Sequence, residues 1–117
     1  MPPPPDPCRI AVAQAQGVAW RYAHGQLGEA GALAELGEIT SGLDGGAVLA
    51  EAAGVILGAC RQPEEREAAE RAAQLCVEAG ADEGAVPYWM MVGRERVEAA
   101  GKPPFGMRLI RQRGEDE

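Results

Sequence analysis

Ala47-Val48-Leu49-Ala50-Glu51-Ala52-Ala53-Gly54-Val55-Ile56-Leu57-Gly58-Ala59 holds one charged residue, Glu51, in an otherwise apolar run. Coiled as an α-helix, it is apolar on most of its circumference through Val48, Leu49, Ala52, Val55, Ile56 and Ala59, so it is expected at the centre of a bundle. Around this run, from Ile10 to Gly101, apolar residues recur at three- and four-residue spacing, with Gly, Pro or Asp at the breaks. That is the signature of short packed helices. The expected fold is all-α, a compact bundle of four to five short helices with an extended N-terminal arm and a C-terminal strap.

Local signals divide the chain. Residues 1–6 open with Pro2 to Pro5, read as a disordered proline-rich arm. Asp6-Pro7 caps a first helix that runs to about Ala23 or His24. Its stripe is read as Ile10, Ala13, Gly17 and Trp20, broadened by Ala11, Ala15, Val18 and Tyr22. A second helix is predicted from Glu29 to Ser41 on Leu33, Leu36 and Ile39, with Leu43 beyond it. Gly42 and Asp44-Gly45-Gly46 then lead into the central helix. Gln62-Pro63-Glu64-Glu65 opens a fourth, alanine-rich helix, and Gly80 closes it. A fifth starts near Asp82 or Pro87 and ends at Ala100, with Trp89, Val92 and Val97 inward. Residues 7–101 thus form the helical domain, and 102–117 an extended basic strap with an acidic end.

The apolar content is thinner than it looks. Of the 46% hydrophobic residues, 22 are Ala, leaving 29 of the larger Val, Ile, Leu, Met, Phe, Trp and Tyr. A buried large side chain contributes roughly 1.5–3 kcal/mol and Ala far less. A core this thin gains from a partner surface, so self-association or a protein partner is expected. The net charge of −7 repels nucleic acid and anionic membrane. From Arg94 to Arg113 the balance reverses, with six bases against Glu95 and Glu98.

Cys8, Cys60 and Cys76 are odd in number and form no CxxC. With Cys60 ending one helix and Cys76 well into its neighbour, the two lie about 20 Å apart along the axis. A disulfide needs Cα atoms within about 7 Å. Buried free thiols at Cys60 and Cys76, in a reducing cytoplasm, are therefore expected. No signal peptide is read in Met-Pro-Pro-Pro-Pro, and no apolar window is long enough to span a bilayer.

No motif calls for a cofactor, and no catalytic residue is assigned. His24, the single histidine, has no orienting partner in the sequence and is read as a helix-end residue. Glu64, Glu65, Glu67 and Glu70, interleaved with Arg66 and Arg71, read as a solvated face. Glu35 and Glu38 lie at i, i+3 on the second helix, with Glu51 on the third. Glu35-Leu-Gly-Glu38 followed by Glu51-Ala-Ala-Gly54 resembles the all-α nucleoside triphosphate pyrophosphohydrolases of the MazG type. There, ExxE and ExxD pairs on facing helices hold magnesium. The resemblance covers about 25 residues and implies, as the alternative to a non-catalytic role, a degenerate Mg²⁺-dependent relative using Glu35, Glu38 and Glu51. Gly54 stands where the family has aspartate, which removes one hard oxygen ligand. Leu33-Ala-Glu-Leu36 and Gly42-Leu43 also resemble a winged-helix regulator's helix-turn-helix. Its recognition helix would be residues 46–58, which carry no Arg, Lys, Asn or Gln to reach phosphates or bases. Nucleic acid is therefore disfavoured as a partner.

The remaining candidate is Tyr88-Trp89-Met90-Met91, with Lys102, Phe105, Arg108 and Arg111 beyond it. Four consecutive large side chains on a helix cannot all face one core. Trp, Tyr, Met and Arg are the types enriched at interfaces. The expected role is a small non-catalytic cytoplasmic protein acting through protein–protein contact.

Overall fold

The computed structural model describes residues 6–100, and among them the chain is all-α. Five helices, α1 (Pro7–Ala23), α2 (Glu29–Ile39), α3 (Gly45–Ala59), α4 (Arg66–Glu78) and α5 (Val86–Ala100), are joined by short connections. Single 3₁₀ turns, Pro63–Glu65 and Glu83–Ala85, lead into α4 and α5. The proposed arm before Asp6 and the strap from Lys102 onward lie outside the described residues, as does Gly101.

Three aspartates start helices by the same chemistry. Side-chain oxygens of Asp6, Asp44 and Asp82 accept from the amides of Cys8 (2.9 Å), Ala47 (3.2 Å) and Gly84 (3.1 Å). Each satisfies an amide that the first turn leaves without a partner. α2 stops at Ile39, two residues before the predicted end. The Thr40 hydroxyl donates to the Leu36 carbonyl at 2.9 Å, and Gly42 then turns the chain with φ +78°. After α4, Gly80 takes φ +113°, a left-handed value that side chains other than glycine rarely accept. The Asp82 amide then donates to the Gly46 carbonyl at 3.0 Å, pinning the α4–α5 connection to the start of α3.

α3 occupies the centre, as its composition predicts, and packs against α1, α4 and α5. Val48, Leu49, Ala52, Ala53 and Ile56 are buried. The faces of α1 and α4 that meet it are walled with Ala11, Ala15, Ala19 and Ala23 on one and Ala68, Ala69, Ala72 and Ala73 on the other, all buried. Methyl-sized walls bring helix axes toward the near end of the 8–10 Å range. The inward face of α1 differs from the predicted stripe. Ala11, Val12, Ala15, Val18, Ala19 and Ala23 point in, Trp20 is half-buried, and Ile10 (45% exposed), Ala13 and Gly17 face out. Val12 and Val18 select that face, because the alanines that surround α1 on every side carry no directional preference of their own.

Among the described residues the cysteines are free, with Cys8 exposed, Cys60 half-buried and Cys76 buried. Cys60 caps α3 instead of lying within the core as expected. Burial pushes the Cys76 thiol up from the usual value to about 12. The folded protein therefore holds this proton to higher pH than the unfolded chain does. Its stabilising contribution is complete below about pH 9 and is lost as pH rises toward 12. Denaturant titrations at stepped alkaline pH should show the wild type losing stability relative to Cys76→Ala, at a slope approaching about 1.4 kcal/mol per pH unit.

Candidate interaction surface

The fifth helix is held differently from the others. It packs on α3 and on the 3₁₀ turn that precedes it, and its one fully buried residue is Gly93. Three glycines make the seam. A Cβ on Gly54 would meet the Val86 carbonyl oxygen at 2.7 Å, and one on Gly93 would meet the Val55 Cα and carbonyl oxygen at 2.9 Å. On Gly58, it would fall inside the Met90 carbonyl and 3.0 Å from the Arg94 nitrogen. Gly54 faces the first turn of α5 and Gly58 the next, so the two helices run in the same direction. Gly54 is therefore the seat of α5, which accounts for glycine at the position compared with a metal-binding aspartate.

With Gly93 facing inward, the four large side chains divide into two pairs. Trp89 and Met90 are half-buried, Trp89 with its Cβ against Gly54 and Met90 along the groove beside α4. Tyr88 (56% exposed) and Met91 (48% exposed) point away from α3. The Tyr88 ring meets Trp89 edge-on, with centroids 5.0 Å apart, which fixes its stance on the outer face. Val92 and Val97, expected inward, are half-buried. Lys102, Phe105, Arg108 and Arg111 lie outside the described residues.

The alternative carboxylate set does not converge. Glu35 pairs with Arg21 at 3.2 Å across the α1–α2 contact. Glu51, its side chain 13% exposed, takes Arg9 at 3.0 Å and has Arg96 at 4.0 Å. Glu38 is exposed on α2. α2 packs on α1 and, more thinly, on α4, so it does not face α3 as a helix pair sharing magnesium would. Among the described residues, no group of three or more His, Cys, Asp or Glu side chains is placed to hold a metal ion.

The central position of α3, buried on Val48, Leu49, Ala52 and Ile56, also denies it a recognition helix's free face. His24 is exposed, its ring stacked on Trp20 with centroids 5.5 Å apart and planes 16° from parallel. Where α4 ends beside the start of α2, a hydrogen bond with Glu29 holds the Glu78 carboxyl above the usual range. This is a local carboxylate pair on the surface. No helix among the described residues is long and apolar enough to cross a membrane. The chain matches no protein-family model, no curated protein and no solved structure.

Proposed function

We propose that this is a small non-catalytic cytoplasmic protein that works by protein–protein contact, as an adaptor, regulator or assembly subunit. The outer face of α5 makes the contact through Tyr88 and Met91. One observation carries this reading. α5 packs chiefly on α3 and turns two of the three exposed large hydrophobic side chains of the described residues, Tyr88 and Met91, away from the body. Tyrosine and methionine suit an interface, one as a rigid amphipathic anchor and the other as an adaptable filler.

The test is site-specific photo-crosslinking in cells, with the reactive residue at position 88 or 91 and at exposed Ala30 as the control. Discrete protein adducts are expected at 88 and 91 and absent at 30. Met91→Asp should abolish the adduct formed from position 88 and leave the melting temperature unchanged within about 2 °C, as expected of an exposed substitution. Absence of adducts at both α5 positions, with a monomer across a light-scattering concentration series, would overturn the proposal. So would Mg²⁺-dependent release of pyrophosphate from a nucleotide mixture.

A further inference from the structure

On the α4 side of α5 runs a groove of about 390 Å³, walled by Leu57, Val77, Val86 and Met90, with Arg66, Glu70 and Gln74 at its rim. That volume lies in the range of about 300–1,000 Å³ typical of occupied sites. Half-buried Cys60 lines both this groove and a smaller adjoining one of about 230 Å³, which is bordered by Arg61 and by Arg94, Val97 and Glu98 of α5. α5 ends at Ala100, within one helical turn of Val97 and Glu98. The chain therefore leaves the described body beside the end of the groove.

The sequence that leaves there is Gly101-Lys102-Pro103-Pro104-Phe105-Gly106-Met107-Arg108-Leu109-Ile110-Arg111. Read as an extended chain, it places Phe105, Met107 and Leu109 on one side and Arg108 on the other. Phe105 is five residue steps beyond Ala100, a reach of up to about 17 Å. The groove follows α4 from Arg66 to Val77, about 17 Å of helix. Residues 6–100 carry fifteen acidic side chains against seven basic ones, a net charge of −8, while residues 102–113 carry four bases and no acid. Glu64, Glu65, Glu67 and Glu70, interleaved with Arg66 and Arg71, lie on α4 and its lead-in turn. Length, exit point, apolar alternation and the opposite net charges of body and segment favour the same occupant.

We propose that the groove between α3, α4 and α5 is the docking site for this chain's own residues 105–110, with Phe105 as the anchor and Arg108 toward the acidic side of α4. This inference does not rest on the partner contact assigned to Tyr88 and Met91, which lie on the far side of α5 from Gly93.

The experiment uses the full chain with a benzophenone amino acid at position 105, at concentrations where light scattering reports a monomer. Photolysis should give crosslinks within one chain to the peptides holding Leu57, Val77 or Met90. In parallel, iodoacetamide labelling of Cys60, resolved by peptide mass, should accelerate roughly tenfold in Phe105→Glu as the groove opens. Labelling of Cys8 should not change. Crosslinks between two chains would seat a second copy in the groove and overturn the proposal. Equal Cys60 labelling in wild type and Phe105→Glu would overturn it too. Neither result bears on the adducts from positions 88 and 91, so the two proposals fail separately.

Discussion

Gly58→Ala lowers the stability of the protein by about 1–3 kcal/mol and loosens α5 from α3. In an exposed helix, the same change stabilises by about 1 kcal/mol through propensity alone. The sign is therefore diagnostic. The new methyl would fall inside the Met90 carbonyl, 2.8 Å from its carbon, and these are main-chain atoms of a helix. They cannot swing aside as the end of a side chain does, so the whole of α5 must move. Gly37 is the matched control. It lies within α2 with nothing within 4 Å of an added Cβ, and Gly37→Ala should stabilise by roughly 0.5–1 kcal/mol. Urea titration gives the two signs, and hydrogen exchange should place the Gly58 effect in α5. A Gly58→Ala protein as stable as wild type, with unchanged exchange in α5, would show that the seam is loose.

Leu36→Ala costs about 2–5 kcal/mol, the range for removing a fully buried leucine. Leu36 has no exposed surface and, with Ala32, is all that α2 buries fully, Leu33 and Ile39 being partly buried beside them. That helix is fastened to α1 and only thinly to α4, so losing its anchor should release it while the α1–α3–α4 core persists. Amide exchange is expected to accelerate across residues 29–39 far more than in α3, where Leu49 is the comparable anchor. Uniform acceleration through all helices would instead mean that α2 and the core unfold as one unit.

Helix ends were legible because the chemistry that sets them is local. Asp6, Asp44 and Asp82 cap the helices they precede, and Gly80 turns the chain after α4. The centrality of α3 followed from its lack of a polar face. The inner face of α1 was not legible, since alanines lie all around it and two valines decide the choice. The seam was half legible. The spacing of Gly54 and Gly58 was open to reading, but Gly54 was weighed only against a metal-binding aspartate, and their partner Gly93 is brought to them only by the fold.

The same applies to the candidate surface. Helix geometry required that Tyr88, Trp89, Met90 and Met91 divide between inside and outside. Which pair faces out depends on Gly93 being the contact point, which spacing alone did not reveal. The carboxylate reading failed for a related reason: it presumed that α2 and α3 face each other, whereas α2 lies against α1 and its Glu35 is engaged by Arg21.

The alanine walls also shape how this protein responds to temperature. Unfolding heat capacity grows with the apolar area brought into water, and a methyl group brings little. A bundle whose α1 and α4 faces are built mainly from alanine should have a shallow stability curve with little curvature. Its free energy then varies gently over a wide span of temperature, and its marginal core is insured against cold as much as against heat.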